Sequence, residues 1–131
     1  MTVCGVQIRF GCANGEQYDA IGEFWDSMRL CCPETELIGV GYGWQNDTFL
    51  YLIGTENGVP DGTEKKIAAR FPGAVSTGIR LPDKGWKTYI GSADTLDVLY
   101  AEIYKDGALE YETEEFKPDG TAMIRVWRKG Q

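Results

Sequence analysis

The sequence predicts an α+β fold: duplicated strand–helix–strand–strand units forming a largely antiparallel sheet with two main helices. Three observations lead there. Segments of period two and of period three-to-four alternate along the chain, which separates strands from helices. Their order is strand–helix–strand–strand, a linker, an extra strand, then strand–helix–strand–strand again. The strands following each helix are joined by short polar turns, which bring antiparallel neighbours together. No residue-level repeat accompanies the repeated order. Two such halves would leave a seam, and seams between lobes are where ligand pockets concentrate.

Each element has its own justification. "VCGVQIRFGC" reads as a strand through Val3, Val6, Ile8 and Phe10. "QYDAIGEFWDSM" places Tyr18, Ile21, Phe24 or Trp25, and Met28 at helical spacing, with Asn14 as a cap and Pro33 beyond its end. "ELIGVGYGW" and "TFLYLIGTE" are strands joined by the turn "QND", and "NGVPDGTEKK" is the clearest break in the chain. "EKKIAARFPG" is a short helix ended by Pro72 and Gly73, and "VSTGIRLP" and "WKTYIGS" are strands separated by "DKG". "ADTLDVLYAEIYKDG" is the strongest helix. Leu96, Leu99 and Ile103 form its stripe, Asp94 sits near the positive end of its dipole, and Gly107 closes it. "ALEYETEEF" and "AMIRVWRKG" make a hairpin across "KPDGT".

Composition narrows the function. The 131 residues suit one domain, residues 1–131, with enough apolar material for a core. Thirteen basic against twenty acidic side chains leave a net charge of −7. Such a surface repels nucleic acid and anionic lipid, so neither is expected as a direct partner. It suits a cationic small molecule or a basic protein surface. No apolar run is long enough to span a bilayer, and the opening residues do not read as a signal peptide. The four cysteines match neither a zinc spacing nor a disulfide framework and are read as reduced thiols of a cytoplasmic protein. With no histidine in the chain, zinc enzymes and serine–histidine triads are excluded, and no metal or cofactor is expected.

The segment carrying most chemistry is "LEYETEEF", residues 109–116. Glu110, Glu112 and Glu114 alternate with Leu109, Tyr111 and Thr113, so on a strand the three carboxylates share a face. Glutamate is a poor strand former. An acidic face on a strand either looks at water, as a guard against edge pairing, or looks into a cavity that wants a cation. Four tryptophans and seven tyrosines supply flat, amphipathic surface for stacking and cation–π contact.

Several segments, in order, resemble the GyrI-like effector-binding superfamily, which includes the drug-binding domains of multidrug-responsive transcription activators and stand-alone proteins of integron cassettes. "AIGEFWDSM" is similar to the family's first helix with its Phe-Trp pair. "GVGYGWQNDTFLYLIGTE" resembles its Tyr-Gly turn and the strand ending in Gly-x-Glu. "LPDKGWKTYIG" is similar to the strand before the second helix, "LYAEIY" to that helix, and "EEFKPDGTAMIRVW" to the acidic strand and closing hairpin. The likeness runs from about residue 18 onward. It departs where Trp127 is followed by "RKG", and where a Trp-Leu-Pro segment is missing after the second helix.

The resemblance implies an aromatic-lined pocket between pseudo-symmetric halves, in which a buried glutamate meets a cationic, lipophilic or aromatic ligand. Counting back from Trp127, Glu114 or Glu110 fits that position, with Glu114 preferred. The matching segments supply Trp25, Tyr42, Tyr51 and Tyr89 as pocket aromatics. The expected function is a stand-alone small-molecule binding protein. Two alternatives stand beside it: a hydrolase of the same fold using Glu114 or Glu110 with Tyr89, and an acidic inhibitor of a protein partner. A protein partner or a second copy of the chain remains open.

Overall fold

The computed structural model describes residues 1–12, 17–33 and 35–130. Asn14, expected as a helix cap, lies outside them. The elements run β1 (Thr2–Gly11), α1 (Gln17–Cys31), β2 (Ile38–Gln45), β3 (Thr48–Thr55), α2 (Thr63–Arg70), β4 (Val75–Arg80), β5 (Trp86–Ser92), a 3₁₀ turn (Ala93–Thr95), α3 (Leu96–Lys105), β6 (Tyr111–Phe116) and β7 (Thr121–Trp127). The class is α+β as expected. All seven strands join one antiparallel sheet in the order β4-β1-β3-β2-β6-β7-β5.

Local chemistry accounts for the joints. Gln45 pairs with Thr48, so the β2–β3 hairpin has the two-residue loop Asn46-Asp47. Both loop residues have positive φ, 49° and 60°, the handedness a tight hairpin needs and one Asn and Asp tolerate. At the end of α3 the buried guanidinium of Arg128 donates to the carbonyls of Ile103 (2.5 Å) and Gly107 (3.4 Å). The Ile103 carbonyl also accepts from the Asp106 N–H, and a cation at this end of the helix complements its dipole. That contact fixes α3 on the sheet.

The connector from β4 to β5 shapes the whole sheet. Only Leu81–Gly85 separate the two edge strands. Six Cα steps reach about 20 Å, whereas the outer strands of a flat seven-stranded sheet lie about 29 Å apart. The sheet is therefore curled. Val3, Val40, Leu52 and Leu81 are buried together on the inner face, with Trp86 and Tyr111 packed against them.

The other face carries the helices and two separate apolar clusters. Phe10, Phe24, Met28, Phe49, Tyr51, Ile53 and Ile67 pack α1 and α2 onto β1 and β3. Leu99, Tyr100, Ile103, Ile124 and Val126 pack α3 onto β7. β2 and β6 lie between the two clusters in the sheet. Among the described residues, no helix is long and apolar enough to cross a membrane.

Candidate functional site

Where the two clusters part there is a cavity of about 680 Å³, walled by α1 and α3 and floored by β6. Residues 112, 114 and 116 of β6 line it. The depth comes from β2. Gly39 pairs with Glu114 and Gly41 with Glu112, and glycine adds no side chain above the sheet. A Cβ at Gly39 would collide with the Tyr51 hydroxyl, and one at Gly41 would meet Glu112 Oε1 at 2.7 Å. Glycine at both positions gives the acid side chains and Tyr51 their room.

Glu114 is 6 % exposed and Glu112 5 % exposed. Glu114 Oε1 accepts from the Tyr51 hydroxyl, and Oε2 accepts from the Tyr100 hydroxyl at 2.7 Å. The Tyr51 oxygen in turn accepts from Trp25 Nε1 at 2.9 Å. One carboxylate thus ties α1, β3, β6 and α3 together. Glu112 differs: its Oε2 is buried and has no hydrogen-bond partner among the described residues.

Aromatic rings form the walls. Trp44 stacks on Phe49 (5.8 Å, 9°), Tyr100 on Tyr104 (5.8 Å), and Trp25 meets Phe116 edge-on at 5.1 Å. At the rim, the Arg29 guanidinium lies 5.0 Å from the centre of the Trp25 ring and 3.4 Å from Asp26.

Burial governs the titration of the floor. It pushes the Glu112 carboxyl well above its usual range, and the neighbouring Glu114 charge pushes it further, with the Tyr100 hydroxyl opposing the rise. Burial also raises Glu114, but the Tyr51 and Tyr100 hydroxyls favour its charged form and oppose that rise. Burial raises both of those tyrosines well above the usual phenol value, so they remain donors. The floor thus carries two buried acids with unequal support: both Glu114 oxygens have hydroxyl donors, whereas Glu112 Oε2 has none among the described residues.

The expected site residues divide. Glu114 is on the cavity floor and Trp25 in its wall. Tyr51 is fully buried one hydrogen bond behind Glu114. Tyr42 points to the inner face of the sheet, where its hydroxyl donates to Gln7 and its ring packs near Tyr111. Tyr89 lies on β5 and donates to Asp106 at 2.6 Å, away from the cavity. Glu110 is exposed in the bend before β6, beside a separate shallow depression that Tyr42 and Tyr111 also line. Its backbone N–H donates to the Trp127 carbonyl at 3.0 Å. Glu112, Tyr100, Tyr104, Trp44, Phe49 and Phe116 were not singled out as site residues, yet all line the cavity. The alternating glycines of "IGVGYG" were the available signal, because a strand with no side chains on one face leaves space there.

No group of three or more acid, cysteine or histidine side chains among the described residues is arranged to hold a metal ion. The four cysteines are free thiols. Compared with known protein families and with curated protein sequences, the chain matches no family model and no curated protein.

Proposed function

We propose that the protein is a stand-alone, cytoplasmic small-molecule binding module of the GyrI-like effector-binding kind, and that its ligands are cationic and aromatic or lipophilic. The observation that carries this reading is the pair of buried carboxylates on the floor of an aromatic-walled cavity. A carboxylate taken out of water is costly unless a cation meets it, and an apolar wall selects the body that brings the cation. The cavity volume lies within the range of small-molecule sites. The strand order supports the duplicated architecture that goes with this reading: β1-β3-β2 and β5-β7-β6 run inward from opposite sides to meet at the β2–β6 pair.

The test is a tryptophan-fluorescence titration with a flat cationic dye and its neutral isostere, on the wild type, Glu112→Gln and Glu114→Gln. Micromolar binding of the cation, at least tenfold tighter than the neutral dye and weakened in a glutamine variant, is the expected result. Equal binding of both dyes sinks the reading. A hydrolase is the second reading, favoured by one observation: two buried acids, Glu112 and Glu114, stand on the same strand face at the cavity floor, and paired carboxyl groups are what general acid–base chemistry uses. Turnover of a strained electrophile, lost in Glu112→Gln, would establish it.

A further inference from the structure

We infer that Glu112, rather than Glu114, is the carboxylate that grips the ligand, and that the ligand's charge sits on an N–H donor, a primary or secondary ammonium or an amidinium, rather than on a quaternary nitrogen. The inference rests on the binding reading above and narrows its ligand class.

The two carboxylates are not equivalent. Both oxygens of Glu114 already accept hydrogen bonds, from Tyr51 and from Tyr100, and Tyr51 is itself held by Trp25. Those bonds spread its charge and hold its side chain in one orientation, as a fixed support for the floor. Glu112 has the opposite character. Its side chain lines the cavity, it is 5 % exposed, and Oε2 has no donor among the described residues. Leaving a buried acceptor unpaired costs about 1–3 kcal/mol, more when it is charged. Native structures rarely leave such a group without a purpose.

The missing partner has a definable chemistry. It must donate, because a carboxylate oxygen only accepts and Glu112 Oε2 has no donor among the described residues. It must be cationic, because a carboxylate buried beside a second acid, Glu114, is costly unless an opposite charge meets it. A charge-assisted N–H···O bond meets both needs at a separation of about 2.8 Å. A quaternary ammonium meets neither well: its methyl groups hold the charge farther off, and it has no N–H to give. The aromatic walls at Trp44–Phe49 and Tyr100–Tyr104 take the apolar body in either case, so they do not discriminate. Selectivity between the two kinds of cation therefore falls to Glu112.

The test uses three probes on one ring: 2-naphthylmethylammonium, its N,N,N-trimethyl analogue, and neutral 2-naphthylmethanol. Their affinities are measured by calorimetry for the wild type, Glu112→Met and Glu114→Gln, with folding of each variant checked by circular dichroism. The wild type is expected to bind the primary ammonium at least tenfold more tightly than the trimethyl analogue. In Glu112→Met that preference should shrink to within about twofold, whereas Glu114→Gln should keep the order of the probes. Wild type binding both cations equally well, and both better than the alcohol, overturns the inference while leaving the cation-binding reading intact. Wild type binding the alcohol as tightly as either cation removes both. The wild-type comparison decides the kind of cation by itself, and Glu114→Gln decides the carboxylate: loss of the probe order in that folded variant overturns the assignment to Glu112 even where Glu112→Met fails to fold.

Discussion

Glu112 is where function and stability oppose each other. Its folded carboxyl is held well above the ordinary value of 4.5, first by burial and then by Glu114. The folded state therefore holds a proton there more tightly than the unfolded chain does. From this group alone, stability is fully present below pH 4.5 and falls as pH rises toward the raised folded value, the reverse of a salt-bridged carboxylate. Glu112→Gln removes the titration, so its urea midpoint should exceed that of the wild type at pH 8, by about 1 kcal/mol of stability. The two proteins should converge as pH falls toward 4.5. A wild type that gains stability relative to the variant on going from pH 5 to pH 8 would contradict the assignment. The alternation in "LEYETEEF" put Glu110, Glu112 and Glu114 on one face, but a period of two reports direction and not depth. Glu110 precedes the strand and is exposed, whereas Glu112 and Glu114, within β6, are buried between α1 and α3.

Among the elements, β2 decides how deep the site is. Its glycines at 39 and 41 lie on the helix-bearing face, so Tyr42, the residue after Gly41, has to face the opposite way. That inference was open to the sequence alone, and it would have removed Tyr42 from the site. Tyr89 was harder to place, because its distance from the floor depends on β7 lying between β5 and β6. The two glycines make a contrasting pair. A methyl group at Gly39 would press on the Tyr51 hydroxyl and the Trp25 ring, both locked in the core and in the hydrogen bonds to Glu114. Gly39→Ala should cost about 1–3 kcal/mol. At Gly41 the obstacle is the end of the Glu112 side chain, which can swing into the cavity. Gly41→Ala should keep a urea midpoint close to wild type and bind a cationic ligand several-fold more weakly. Equal stability losses at the two positions would refute this division of the strand.

For the whole molecule, the sequence revealed the order of elements but not the closure. A repeated strand–helix–strand–strand pattern can be read locally. The pairing of β4 with β1 and the curl imposed by Leu81–Gly85 depend on contacts between residues far apart in the chain. That architecture leaves two apolar clusters on the helix-bearing face, joined across the cavity by the β2–β6 ladder and by the bonds linking Trp25, Tyr51, Glu114 and Tyr100. The cluster beneath α3 is the smaller, so α3 should open at lower free energy than α1. Hydrogen exchange should show the amides of Leu96–Lys105 less protected than those of the inner turns of α1. A ligand seated on Glu112 touches both walls and binds only the closed arrangement. At one hundred times its dissociation constant it stabilises that state by about 2.7 kcal/mol, which slows opening-limited exchange by about 100-fold. The slowing should be concentrated in α3 and β6, because β1 and β3 already exchange through rarer, larger openings. Exchange in α3 that is unchanged by a saturating ligand would mean that α3 is no wall of the site, and the cavity would then have to be read as a feature of α1 and the sheet alone.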